Sequence, residues 1–169
     1  MPFGSLVIYT SSQKGSVEFD KQLFEKFGAR VIRDRAKILL PTPRTTKRAI
    51  KILKSEAINI VWFGAAAPLA LMSSALRKNG VSNIVALSHG HEVWWAKIPI
   101  FKQLLRKIIH DVNYLGYLGN FTKSELLKVS DDPDKLIQIA PGIDTNHFAP
   151  RVASSKLIAK HRLEDRRII

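Results

Sequence analysis

The sequence has no cysteine among its 169 residues. That absence excludes disulfide bridges, thiolate nucleophiles, cysteine-ligated zinc and thiol redox chemistry, and it suits a reducing compartment. The zinc-deaminase pattern falls with them, because it needs a cysteine pair. No G-x-G-x-x-G turn and no Walker loop occurs, so the standard glycine cradles for dinucleotides and nucleoside triphosphates are missing. No basic stretch precedes an apolar run at Met1–Ser5, and no secretory signal is expected. Long apolar runs are lacking too. Ala57 to Leu76 passes 20 residues without a charge, the length of a bilayer span, but Asn59, Gly64, Pro68, Ser73 and Ser74 break it. Its β-branched and aromatic front, Ile58–Phe63, reads as a buried strand. Gly64–Ala67 then reads as a turn, and Pro68 sits in the first turn of a helix, where its missing N–H costs nothing.

Acid is the other shortage. Asp and Glu number 14 against 27 Lys and Arg, a net charge of +13. Such a field favours anionic partners: nucleic acid, an acidic membrane face or phosphorylated substrates. The charge is localised. Nine Lys and Arg lie between Arg30 and Lys54 with Asp34 as the lone acid, and the tail from Arg151 holds six more against Glu164 and Asp165.

What is present is the composition of one globular domain. Hydrophobic residues make up 46% and charged residues 24%, and a chain of this size buries about 70% of its unfolded surface. Short apolar runs recur at Leu6–Tyr9, Ala29–Ile32, Ile58–Phe63, Ile84–Leu87, Tyr114–Leu118 and Leu136–Ile139. Continuous rather than alternating runs suit strands covered on both faces of a parallel sheet. Helical patterns lie between most of them. Thr42 caps a helix from Pro43 to about Ala57; Pro68–Asn79 is a second, closed by Gly80. A third starts near Pro99, and a fourth at Thr122, where Thr122 and Glu125 make a capping box. Phe19–Phe27 is helical or irregular. Ser154–Leu163 reads as a helix, and Arg166–Ile169 as the start of another strand. The predicted fold is α/β: a Rossmann-like, doubly wound, mostly parallel sheet.

Ligands of open α/β sheets bind beyond the carboxyl ends of the strands. The sharpest feature there is His89-Gly90-His91-Glu92, just after the run Ile84–Leu87. Two imidazoles and a carboxylate at a strand end suit hydrogen bonding to a sugar or phosphate, or proton transfer. Two other readings stand beside this one. The histidines satisfy local backbone groups, or His89 and His91 share a face and hold a metal, for which no third ligand is near. Gly64 opens a strand-to-helix junction of small residues where free N–H groups favour an anion, or which serves close packing alone. On the helix from Pro43, Arg44, Lys47, Arg48, Lys51 and Lys54 form a basic stripe with no acidic partners, suited to an anionic bilayer or to a solvated face. Lys97, Lys102, Arg106 and Lys107 extend the basic surface around the third helix. Trp94 and Trp95 suit stacking, a lipid interface or the core.

Several segments taken together resemble the retaining GT-B glycosyltransferases of the family-4 type, and most closely the actinobacterial phosphatidylinositol mannosyltransferase B group. They are Leu40-Pro41-Thr42-Pro43; Trp62-Phe63-Gly64-Ala65-Ala66-Ala67-Pro68-Leu69-Ala70-Leu71-Met72; His89-Gly90-His91-Glu92-Val93 with Trp95; and Pro141-Gly142-Ile143-Asp144 with Phe148 and Pro150. The resemblance implies transfer of mannose from GDP-mannose to a mannosylated phosphatidylinositol, with retention of configuration and neither metal nor resident cofactor. It implies that His89 lies by the donor sugar and helps stabilise the transition state. Gly64, Gly90, His91 and Glu92 would shape the sugar or acceptor site, and Pro141, Gly142 and Asp144 would lie in the passage between two domains.

The chain departs from the family at five points. Its first run resembles the family's second strand, and the family's Gly-rich loop and donor-binding domain are not matched. Gly119-Asn120 stands where a serine is common, and Trp94 where a small residue is usual. Residues 1–150 are therefore expected to be an incomplete N-terminal, acceptor-side domain, and 151–169 the beginning of the next domain or a tail. Expected partners are an anionic phospholipid surface, a glycolipid acceptor and a C-terminal domain in cis or in trans. Nucleic acid is disfavoured for want of a reader motif. The implied location is cytoplasmic, peripheral on the inner face of the plasma membrane. The alternatives are a non-catalytic basic module for anionic lipid and a decayed remnant.

Overall fold

The computed structural model describes residues 2–149, 154–164 and 166. Among the described residues, six strands alternate with helices. The strands are β1 (Val7–Ser11), β2 (Arg30–Asp34), β3 (Ile60–Phe63), β4 (Asn83–Ser88), β5 (Tyr114–Tyr117) and β6 (Leu136–Gln138). The helices are α1 (Ser16–Phe27), α2 (Pro43–Ser55), α3 (Ser73–Arg77), α4 (Glu92–Lys97), α5 (Pro99–Asp111), α6 (Asn120–Leu127) and α7 (Ser155–His161). Every apolar run read as a strand is one, and every pairing is parallel. This is the α/β, Rossmann-like class expected.

The strands form two sheets rather than one. β1 pairs with β2, while β3, β4, β5 and β6 lie side by side in chain order. Among the described residues neither β1 nor β3 has a strand on its other edge, so the hydrogen-bonded sheet stops at each. In the larger sheet each strand connects to its neighbour through a helix, and α3 packs against both α2 and α5. The core belongs to this half: Leu105, Ile108, Ile84, Leu115 and Leu126 are completely enclosed. At Gly116 in β5 a Cβ would lie 2.6 Å from Ile139 Cδ1 and 3.0 Å from Leu87 Cδ1, so any larger residue would have to push those side-chain ends aside.

Local chemistry explains where the helices begin. Thr42 caps α2, its Oγ1 accepting from Thr45 N at 3.2 Å, with Pro43 at the first helical position. The segment after β3 opens as a tight 3-10 turn, Leu69–Met72, behind Pro68, and relaxes into the short α3. Residues 57–76 are thus strand, turn and two short helical pieces, and among the described residues no helix is long and apolar enough to cross a membrane. The capping box at Thr122 does not form. The helix starts earlier, at Asn120, and both Thr122 and Glu125 are buried, the carboxylate taking Lys128 at 2.5 Å. Of the tail, α7 matches the expected helix. The strand expected at Arg166–Ile169 lies almost wholly outside the described residues, as does Pro150.

Candidate functional site: an open rim around His89

The carboxyl ends of β3 and β4 lie side by side, because Phe63 is in register with Ala86. The two loops leaving them are therefore neighbours, and hydrogen bonds tie them together. Ala66 N donates to Leu87 O at 2.9 Å. His89 Nε2–H donates to Gly64 O at 2.7 Å. Since a carbonyl only accepts, this bond puts the proton on Nε2 in the neutral ring and leaves Nδ1 as an acceptor. The His89 ring itself is exposed to solvent.

Glu92 takes a different part from the one expected of a ligand-facing carboxylate. It is 3% exposed and turned inward. Ser88 Oγ donates to its Oε2 at 2.8 Å, and Ala67 N donates to its Oε1 at 3.3 Å. Ser88 Oγ in turn accepts from Gly90 N at 3.3 Å. One buried carboxylate thus holds the β3 loop, the end of β4 and the start of α4. Gly90 has φ +90°, a conformation that glycine reaches without strain, and a Cβ there would meet Thr122 Oγ1 at 3.4 Å. His91 is exposed, immediately before α4. β4 ends at Ser88 and the chain turns at Gly90, so His89 and His91 do not extend one strand face. Among the described residues no three His, Asp or Glu side chains converge as a metal site requires.

Pro141, Gly142 and Asp144 follow β6 at the same end of the sheet and are exposed. Asp144 Oδ1 accepts from Asn146 N at 2.9 Å and His147 N at 3.1 Å, closing a local turn. Two concavities, of 450 and 380 Å³, lie elsewhere. The first is at the amino ends of β5 and β6, beside Arg77, Asn113 and Asp132; the second lies between α1 and the β1–β2 sheet. Neither is lined by His89, Gly90 or Gly64. The His89 loop is an open rim, with Gly64, His89 and His91 exposed at the carboxyl ends of β3 and β4.

The basic stripe of α2 is largely free. Arg44, Lys47, Lys51 and Lys54 are exposed and pair with no carboxylate among the described residues. Arg48 leaves the stripe: Nη1 donates to Asp34 Oδ2 at 3.1 Å and Nη2 to Arg33 O at 2.9 Å. Tyr9 O–H donates to the same carboxylate at 2.6 Å. Burial, then this bond, pushes the Tyr9 pKa up to about 12, while the phenol and the Ala36 N–H pull Asp34 below the usual carboxylate range. Of the paired tryptophans, Trp95 packs against the core and Trp94 is 68% exposed under the Lys97 ammonium.

Sequence reasoning placed Ser88–Glu92 at a strand end but missed α4 and the inward bond of Ser88 to Glu92. A helix of six residues is too short for periodicity to reveal, and a serine at a strand end carries no signal until its partner is placed.

Over 165 residues, 97% of its length, this chain is 34% identical to a GDP-mannose-dependent alpha-(1-6)-phosphatidylinositol monomannoside mannosyltransferase of Mycolicibacterium smegmatis, covering 43% of that protein. The chain is a relative of these mannosyltransferases. It is 32% identical over 163 residues to the protein of the same name in Mycobacterium tuberculosis, covering 42% of it. To a GDP-mannose-dependent monoacylated alpha-(1-6)-phosphatidylinositol monomannoside mannosyltransferase of Corynebacterium glutamicum it is 34% identical over 161 residues, covering 41%. The chain spans less than half the length of the curated relatives it matches. No family model matches it. The resemblance carried by a few motifs extends along nearly the whole chain.

Proposed function

We propose that this chain supplies the acceptor-side half of a mannosyltransferase that moves mannose from GDP-mannose to a phosphatidylinositol mannoside at the inner membrane face, with retention of configuration. The observation that carries this reading is the alignment of 97% of the chain with enzymes of that name, with the His89 loop exposed at the carboxyl end of the sheet. His89 acts from a fixed position. With Nε2–H committed to Gly64, its Nδ1 accepts from a sugar hydroxyl or, when protonated, donates towards developing negative charge. Glu92 and Ser88 hold that loop against the Gly64 turn rather than touching sugar. GDP-mannose is a substrate, and no resident cofactor is assigned. An open rim cannot enclose a sugar nucleotide, so a second surface, in cis or in trans, completes the site across the passage at Pro141–Asp144.

Arg44, Lys47, Lys51 and Lys54 attract anionic lipid, at roughly 1 kcal/mol each near the surface. This stripe also favours the second reading, a lipid-binding module without catalysis.

The test replaces the matching segment of the M. smegmatis relative with this chain and follows mannose transfer from GDP-mannose to phosphatidylinositol monomannoside. Transfer with the donor's anomeric configuration kept in the product is the expected result. A folded chimera that binds lipid but transfers nothing would overturn the enzyme reading in favour of the module.

A further inference from the structure

We propose that the corner between α4 and α5 is a membrane-inserting wedge that seats the protein in an anionic lipid surface beside the His89 loop. Four large apolar side chains crowd this elbow: Trp94 is 68% exposed, Ile98 45%, Ile100 75% and Phe101 40%. Ile98 both ends α4 and caps α5. Single exposed hydrophobic residues are ordinary; four within eight residues at one turn make a patch.

Anchoring and charge identify the occupant. Trp95, behind the patch, packs against the core with its ring 5.1 Å from that of Phe101, and Val93 and Leu105 on either side are buried. The outward residues cannot fold back without unpacking these. From Val93 to His110 there is no Asp or Glu, while Lys97, Lys102 and Arg106 fall in that stretch; Lys107, further along α5, is taken by Asp111. The Lys97 ammonium sits 5.1 Å from the Trp94 ring centre. Lysine is depleted from protein–protein interfaces. A tryptophan at headgroup depth, aliphatic tips below it and lysines reaching back to phosphates are the makings of an interfacial anchor. Because α4 starts directly after His91, insertion here fixes the height of His89 above the headgroups. This deepens the mannosyltransferase reading and rests on it for the inositol lipid as the anion.

The test uses the 169-residue chain with vesicles of phosphatidylcholine, alone or mixed with phosphatidylinositol, some carrying acyl chains brominated near the headgroup. Expected are binding to the inositol-lipid vesicles and tryptophan quenching that largely disappears in Trp94→Phe. The Ile98→Ser, Ile100→Ser double variant should bind about tenfold more weakly with unchanged circular dichroism. Neutralising Arg44, Lys47, Lys51 and Lys54 should weaken binding but leave quenching at saturating lipid. Binding without Trp94-dependent quenching, native affinity in the double variant, or no binding to either vesicle would each overturn the wedge. So would a dimer that the double variant dissolves, which would make the corner a protein interface. Transfer to acceptor dissolved in detergent needs no docking, so its failure would indict the enzyme reading and leave the wedge standing.

Discussion

The two sheets of this protein are built from the same parallel pairing yet are held in different ways. In the four-stranded half, Ile84, Ala86 and Ser88 of β4 and Leu115 of β5 are completely enclosed, and helices pack beside one another. In the two-stranded half, α1 has no buried side chain, and Phe19, Phe24 and Phe27 are each at least half exposed. Polar contacts carry that half instead. Arg33 grips Asp20 through Nε at 3.0 Å and Nη2 at 2.5 Å, Arg30 pairs with Glu56, and Asp34 collects Tyr9 and Arg48. Helix α2 joins the two, its Ala49 and Leu53 in the core and its Arg48 on β2. A strand pair that among the described residues has no neighbour on either edge has little apolar surface to bury, and a surface ion pair such as Arg30–Glu56 contributes little. Stability therefore resides in the half that carries the His89 loop.

Four substitutions probe this division. Leu105→Ala, in the enclosed core, should cost about 2–5 kcal/mol in urea unfolding, whereas a cost below about 1 kcal/mol would mean that the core lies elsewhere. Asp111 holds α3 and α5 together at the amino end of the larger sheet. Burial alone would raise its pKa, but hydrogen bonds from Lys107 at 2.6 Å, from Ser74 and from His110 at 3.0 Å pull it down to about 2. A depressed carboxylate stabilises above its unfolded value and loses that contribution as pH falls through the folded one. Roughly 2 kcal/mol should thus disappear between about pH 4 and pH 2, and Asp111→Asn should remove that dependence from the unfolding curve. Thr42→Ala takes the cap from the helix that joins the halves, at about 1 kcal/mol. Phe24→Ala on α1 should change stability by less than about 1 kcal/mol. Amide exchange would sharpen the contrast, with β1 and β2 opening before β4 and β5.

The strands were legible because each is a short apolar run between polar breaks, and a run such as Ile84–Leu87 needs burial on both faces. The split of the sheet was not legible, since nothing in Leu6–Tyr9 or Ile58–Phe63 states which edges go unpaired. Thr42 with Pro43 is a local signal and formed as read. Thr122 with Glu125 has the same spacing and failed, because tertiary burial took both side chains. In the site, His89 and Gly64 were legible from their places after strands, and the structure joins them by a hydrogen bond. The inward turn of Glu92 was not, because only the placement of Ser88 and Ala67 gives that carboxylate its donors.

The most direct test is His89→Ala in the chimera with the M. smegmatis relative, reading kcat for mannosyl transfer and circular dichroism together. His89 is exposed and outside the core, so the fold should be kept while kcat falls by about 10²–10³. Unchanged kcat in a folded variant would remove His89 from the reaction and leave the rim around it without a catalytic role.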